Sequence, residues 1–290
     1  MKDEGRQVSS PDPMHWRLHT AIFGFETAAA STLLRNLGDS VQIVSGSVRD
    51  LPPVELLPAP MSALAITTLQ DAAKNQIGPG VPWLYFDTHA YDVSSWMPRI
   101  GSNIPVLNRD GLFLPFGMLQ APCPALLSWI GEEGSVFIRP DSGRKLFTGF
   151  VVKVARDGSL SIGHEHQVRL VAPDAMCLVA LAKIMEPVEW RFWVVDRKVV
   201  ASTPYSWDTE PEWAPAPDSC LAVAQAMAAN PWQPDIAYVV DVVEHGGQSY
   251  LLEINAASTS GIYAAPLEPL LLALRDAAQR EYAGEIARED

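Results

Sequence analysis

Cysteine is scarce in this chain. Its 290 residues include three, Cys123, Cys177 and Cys220. They lie far apart and fit neither a zinc-ligand spacing nor a redox Cys-x-x-Cys. An odd count without a pairing pattern argues against a disulfide framework and is expected of reduced thiols inside a cell. The opening residues, MKDEGRQVSSPDP, carry no apolar stretch, so no secretory leader is expected. Long apolar runs are missing as well, and none reaches the roughly 20 residues that cross a bilayer. Basic charge is the other deficit. Lys and Arg total 21 against 34 Asp and Glu, a formal net charge of −13. Such a balance argues against non-specific nucleic-acid binding, which needs clustered Lys and Arg, but it leaves room for a local basic pocket. There is no G-x-x-x-x-G-K-[ST] loop and no G-x-G-x-x-G, no G-x-S-x-G around a nucleophilic serine, and no internal repeat.

What is present is apolar and punctuated. Hydrophobic residues make up 48% of the chain, enough for a substantial core. The length suits two domains or one large one, at about 100–200 residues per domain. After a polar tail, HTAIFGF (19–25) reads as a strand, ETAAASTLLRNLG (26–38) as a helix closed by Gly38, and VQIVSG (41–46), ALAITT (63–68) and VPWLYFD (81–87) as further strands. This alternation predicts a small α/β unit at the N-terminus. Residues 88–122, with four prolines, read as an irregular connector. GSVFIRP (134–140), FVVKVA (150–155), VEWRFWVV (188–195) and KVVASTPY (198–205) read as strands, and CLVALAKI (177–184) as an apolar strand or a buried segment. DSCLAVAQAMAAN (218–230) reads as a helix with Asp218 as N-cap, and LEPLLLALRDAAQREYAGE (267–285) as an amphipathic closing helix.

The chemistry concentrates in IAYVVDVVEHGGQSYLLEIN (236–255), two apolar arms joined at Gly246-Gly247. Asp241 interrupts the first arm; Glu253 and Asn255 interrupt the second and share a face, being two residues apart. Oxygen-bearing side chains on neighbouring apolar strands suit a hard cation such as magnesium. Taken alone, the hairpin serves equally well with these groups on a solvated face. In EWRFWVV, Glu189, Arg191 and Trp193 share one face. Arg191 is there either as an ion-pair partner of Glu189 or as an anion clamp, since arginine grips phosphate and carboxylate bidentately. In FIRPDSGRKLFTG, Arg139 ends a strand and Lys145 lies at a short glycine loop. The loop is either a phosphate cradle or an ordinary basic turn. His164 and His166 would share a strand face but lack a third ligand nearby, so no zinc is expected there.

The succession FIRPDSGRKLFTG, EWRFWVVDRKVVASTPY, AYVVDVVE and YLLEIN resembles the core of the ATP-grasp superfamily, and within it the clade named for one arginine and two lysines. The resemblance covers residues 80–270. It implies an α+β ATP-grasp fold, two α+β lobes holding ATP, preceded by a small α/β domain, with a division into residues 1–90 and 91–290. It implies ATP and magnesium as cofactors, with Asp241, Glu253 and Asn255 as metal ligands. Arg191 would be the clade arginine, reaching phosphate or acyl phosphate, and Lys145 a phosphate lysine. Lys183 and Ile184 fall where the family hinge meets adenine, and Glu189 follows them. Arg139 stands where many members carry a nucleotide-binding lysine, so a forked donor replaces a point charge there. The implied activity is carboxylate–amine ligation through an acyl phosphate, on small-molecule or peptide substrates, in the cytoplasm, with no membrane. A phosphotransferase on the same site and a non-catalytic nucleotide-binding module are the alternatives.

Strand parity sharpens the expectation. A two-residue loop at Gly246-Gly247 would set His245 opposite Gln248 and Asp241 opposite Leu252, on the wrong face for shared ligation. Convergence therefore requires a three-residue loop such as 246–248, or a bulge in one arm. The three-residue loop is the form expected here. It places Asp241 opposite Glu253, with Val239, Asp241, Leu251, Glu253 and Asn255 on one face.

Overall fold

The structure is a computed structural model that describes residues 13–20, 24–45, 61–64, 87–119, 121–123, 128–129, 134–143, 146–160, 162, 168, 171–181, 188–205 and 213–286. Its N-terminal unit holds β1 (His15–His19), helix α1 (Thr27–Asn36), β2 (Ser40–Val44) and β3 (Met61–Leu64). These strands form a parallel sheet in the order β2-β1-β3. The first strand thus lies earlier than residues 19–25, and Gly24–Glu26 is a helical turn. The inward alternation is carried by Met14, Trp16 and Leu18, all fully buried, and this sets the strand. The expected strand at 81–87 falls outside the described residues, apart from Asp87.

Two antiparallel sheets follow. One has the order β4-β7-β5-β6, from β4 (Leu112–Pro115), β5 (Ser135–Pro140), β6 (Phe150–Lys153) and β7 (Met176–Leu181). On β5, Val136 and Ile138 point into a core with Phe116, Leu119 and Val179, while Arg139 takes the other face. The second sheet has the order β11-β10-β8-β9, from β8 (Glu189–Val195), β9 (Lys198–Tyr205), β10 (Ala237–His245) and β11 (Gln248–Ala256). Its faces pack differently. Phe192, Val194, Val240 and Val242 meet helix α2 (Asp218–Ala228) through Cys220, Val223, Ala224 and Met227. The N-cap of α2 is Pro217, not Asp218, which sits in the first turn, where a carboxylate still complements the helix dipole. On the other face, Trp193, Val195 and Val239 meet helix α3 (Leu267–Tyr282) through Leu270, Leu271 and Leu274, in one cluster with Trp16, Leu18, Ala30 and Leu34.

One carboxylate fastens the N-terminal unit to α3. Asp39 accepts Arg275 Nε at 2.8 Å and Nη2 at 3.0 Å, and also the Met14 N–H and the Trp16 Nε1–H. Four donors on a carboxylate make its burial tolerable. The proline-rich stretch after residue 87 is more ordered than a connector. It makes helical turns at Thr88–Tyr91 and Val93–Trp96, and buries Tyr91, Val93, Trp96, Ile100 and Ile104 against the α2 face of the central sheet. Among the described residues no helix is long and apolar enough to cross a membrane.

The central hairpin has the expected pairing by the other route. Asp241 lies opposite Glu253, but His245 faces Gln248, so the loop has two residues, Gly246 and Gly247, at φ +59° and +78°. Two positive φ values are what the favoured two-residue hairpin turn requires, and glycine adopts them without steric cost. The extra residue is a bulge: Val242 pairs with Leu251 and Asp241 with Glu253, leaving Leu252 over. Leu251 consequently turns to the α2 face with Val240 and Val242, not to the face of Asp241. The bulge has a local cause. The Leu251 N–H donates to the Pro105 carbonyl at 2.8 Å, and the Leu251 carbonyl accepts from Leu107 at 3.1 Å, so a passing segment pairs with β11 there.

Burial governs the thiols. Cys177 and Cys220 are fully buried, and Cys123 is half-buried. Desolvation, with the Asp141 charge adding to it, pushes the Cys177 thiol up to about 12. Burial also raises the Cys220 thiol, against the opposing hydrogen bond from Ser249. At about pH 8 only about one Cys177 in ten thousand is thiolate. Iodoacetamide is therefore expected to label the native protein at Cys123 alone and the urea-unfolded protein at all three, read by peptide mass spectrometry. Native labelling at Cys177 would contradict this packing.

Candidate functional site

The strand pairings set three charged side chains in a row. Asp241 lies opposite Arg191 of β8 on one side and Glu253 of β11 on the other. Asn255, two residues beyond Glu253, completes the group. Arg191 grips Asp241 with both arms, Nε to Oδ1 and Nη2 to Oδ2, each at 2.9 Å. Asn255 Nδ2 donates to Asp241 Oδ2 at 2.9 Å and to Glu253 Oε1 at 2.7 Å. Arg139 reaches across from β5, with Nη2 2.9 Å from Glu253 Oε2. One ion pair therefore bridges the two antiparallel sheets, and two arginines balance two carboxylates.

The two pairs differ in environment. Arg191 is 2% exposed and Asp241 0%, whereas the Arg139 and Glu253 side chains retain 12% and 18%. Burial alone would lower the Arg191 pKa, but the charge and hydrogen bonds of Asp241 outweigh it and raise it, so the guanidinium stays ionised. Two aromatic rings pack to one side of it, Tyr205 at 4.3 Å and Tyr263 at 5.4 Å from Cζ. Burial foremost raises the Tyr205 phenol well above its usual range, against the opposing charge of Arg191. A bidentate carboxylate and two rings are the surroundings in which arginine and lysine are not interchangeable.

The donor set fits a hard divalent cation. Asp241, Glu253 and Asn255 present only oxygen ligands once the Asn255 amide turns over, and its Nδ2 already touches both carboxylates. Among the described residues no group of three or more His, Cys, Asp or Glu could hold a metal; here the third oxygen comes from an amide.

The structure thus brings together Arg139, Arg191, Asp241, Glu253 and Asn255. Arg191 takes a carboxylate from Asp241, fifty residues away. Glu189 opens β8, half-buried, opposite Tyr205 and Val243. Lys145, Lys183, Ile184, His164 and His166 lie outside the described residues. Sequence reasoning missed Tyr205 and Tyr263. Tyr205 closes a strand it did recognise, two residues past the partner of Arg191, while nothing in the pattern marks Tyr263.

Two antiparallel sheets joined by an ion pair, with carboxylates and an amide converging between them, are arranged as the sequence resemblance to the ATP-grasp superfamily implies. The chain belongs to it: residues 104–274, more than half its length, match the ATP-grasp domain, R2K clade family 3. The family resemblance and the α+β ATP-grasp fold expected from sequence are therefore borne out. No curated protein matches the sequence. Among solved structures, D-alanine–D-alanine ligase from Bacillus anthracis superposes with a TM-score of 0.53 at 15% identity, covering 94% of this chain and 99% of that one. The D-cycloserine synthetase DcsG gives 0.58 at 14%, covering 93% and 100%. The ATP-grasp ligase PsnB, complexed with a phosphomimetic variant of a minimal precursor, Mg and ADP, gives 0.54 at 11%, covering 92% and 99%. At these identities the likeness is one of fold.

Proposed function

We propose that the protein is an ATP- and magnesium-dependent ligase that joins a carboxylate to an amine through an acyl phosphate. The observation that carries this is the convergence of Asp241, Glu253 and Asn255 with Arg139 and Arg191 on the face between the two sheets. Residues 91–290 form the ATP-grasp unit in this assignment, and residues 1–90 the unit that precedes it. Asp241, Glu253 and Asn255 hold magnesium, which when bound supplies positive charge against the phosphate oxygens. Arg139 and Lys145 bind phosphate, Lys183 and Ile184 meet adenine along the hinge, and Glu189 follows at the start of β8. Arg191 gives Nε and Nη2 to Asp241 and Nη1 to the Gly261 carbonyl at 3.5 Å, and the second hydrogens of its two terminal nitrogens are the donors for phosphate or acyl phosphate. The magnesium and ADP named with PsnB support this cofactor pair. The peptide named with the same enzyme keeps peptides among the substrates, beside small acids and amines.

The chemistry needs no nucleophile from the protein. A substrate carboxylate oxygen attacks the γ-phosphorus and ADP departs. The amine nitrogen then attacks the activated carbonyl, phosphate leaves, and the amine proton passes to solvent. Cationic side chains fixed around the transferring group stabilise the charge that develops on it. The compartment that goes with this reading is the cytoplasm, where ATP is supplied.

Thermal melting tests the nucleotide site. At a hundredfold excess over Kd, ATP with magnesium stabilises the native state by about 2.7 kcal/mol, a rise in Tm of about 5 °C or more. No shift at millimolar ATP would remove the assignment. Product analysis then separates the chemistries: ADP release that needs both an acid and an amine marks ligation, and release that needs one acceptor alone marks a phosphotransferase.

A further inference from the structure

We propose that Tyr205 and Tyr263 are positioning residues, which fix the plane of the Arg191 guanidinium and through it the direction of the Asp241 oxygens toward a metal ion. The inference rests on the metal site of the proposed function and adds two residues to it. A guanidinium holds a carboxylate with two arms only when the two groups are nearly coplanar. A small tilt would break one of the 2.9 Å contacts to Asp241. The two rings, both to one side of Cζ, resist a tilt toward them. They lie 4.3 and 5.4 Å from Cζ and meet each other edge-on, with centroids 5.2 Å apart at 67°. A cation over an aromatic face is held by the ring quadrupole, more strongly when water is excluded, and Arg191 is buried.

Tyr263 carries an independent mark. Its φ is +50°, one of three positive values at non-glycine residues among those described. The other two, Asp196 and Arg197, make the two-residue turn between β8 and β9, where such values are expected. Tyr263 is the second residue of the turn closed by the Ala265 N–H on the Ile262 carbonyl at 3.1 Å, a position that glycine usually takes, and a larger residue persists there only where its surroundings hold it. Those surroundings include Gly261, where an added Cβ would lie 3.0–3.3 Å from the Tyr263 ring. The ring thus rests on bare backbone, and the carbonyl of the same glycine faces Arg191 Nη1.

The test is Mn2+ binding to the protein–ADP complex, read by electron paramagnetic resonance against Mn–ADP alone. Tyr205→Leu and Tyr263→Leu are each expected to weaken Mn2+ about tenfold. Tyr205→Phe and Tyr263→Phe, which keep the ring, should stay within about twofold, and ADP affinity without metal should not change. If a leucine variant does not fold, tetrafluorophenylalanine at the same position keeps the shape while draining the ring face of charge, and the same weakening is expected. Ring-deficient variants that lose Tm yet bind Mn2+ like the parent, while Glu253→Gln loses it, overturn the positioning role and leave the metal site standing. Mn2+ binding untouched by both Glu253→Gln and Asp241→Asn removes the metal site, and the proposal with it.

Discussion

Arg191→Met is expected to destabilise the protein by about 3–5 kcal/mol, the usual range for removing one partner of a buried ion pair. Asp241 is fully buried, and Arg191 supplies two of its hydrogen bonds and its counter-charge. Without that partner the carboxylate keeps the Asn255 amide but has no neutralising charge in direct contact from Arg191. The double variant Arg191→Met/Asp241→Leu should regain most of the loss, because an apolar pair of similar volume is often as stable as a buried ion pair. Arg191→Lys keeps the charge but offers a point donor in place of the fork, so it should fold and lose activity severely. Urea denaturation checks the series. A methionine variant within about 1 kcal/mol of the parent would show that Asp241 does not depend on Arg191.

Glu253→Gln should separate activity from stability. Its ion pair with Arg139 is mostly buried, at 12% and 18% side-chain exposure, so its loss costs more than that of an exposed pair, about 0–1 kcal/mol. Glutamine keeps the shape and can still accept from Asn255 Nδ2, so the loss of stability should stay below that of Arg191→Met. ATP-dependent product formation should fall by about a hundredfold or more, equivalent to about 2.7 kcal/mol of transition-state stabilisation. A coupled ADP assay beside the urea curve measures both. Turnover near the parent's would take Glu253 out of the catalytic centre. Asp241→Asn is the less discriminating variant, since it also leaves a buried arginine short of a carboxylate.

The strands carrying the site were legible because their side chains alternate. VEWRFWVV and KVVASTPY correspond to Glu189–Val195 and Lys198–Tyr205 with at most one residue of difference. The period of two put Glu253 and Asn255 on one face. Boundaries failed where local patterns compete. Residues 19–25 alternate well enough for a strand, yet the buried Trp16 and Leu18 drew it to His15–His19. Residues 88–122 looked irregular because prolines divide their apolar residues into single turns, each too short to show a helical period.

The fold class came from the resemblance of the strand motifs to the ATP-grasp superfamily. By itself the sequence determined most of the strands, though not β4, and the rule that Asp241 and Glu253 converge only if one arm has an odd residue. These follow from alternation and turn chemistry, which act over a few residues. Tertiary structure decided how the odd residue is supplied: a bulge at Leu252, beside the backbone of residues 105–107, and not a longer loop. It also chose the partners, Asp241 for Arg191 and Glu253 for Arg139, and set Tyr205 and Tyr263 around one guanidinium. A strand pattern fixes which way a side chain points, but its charge is matched by whatever the packing of separate sheets brings within about 3 Å.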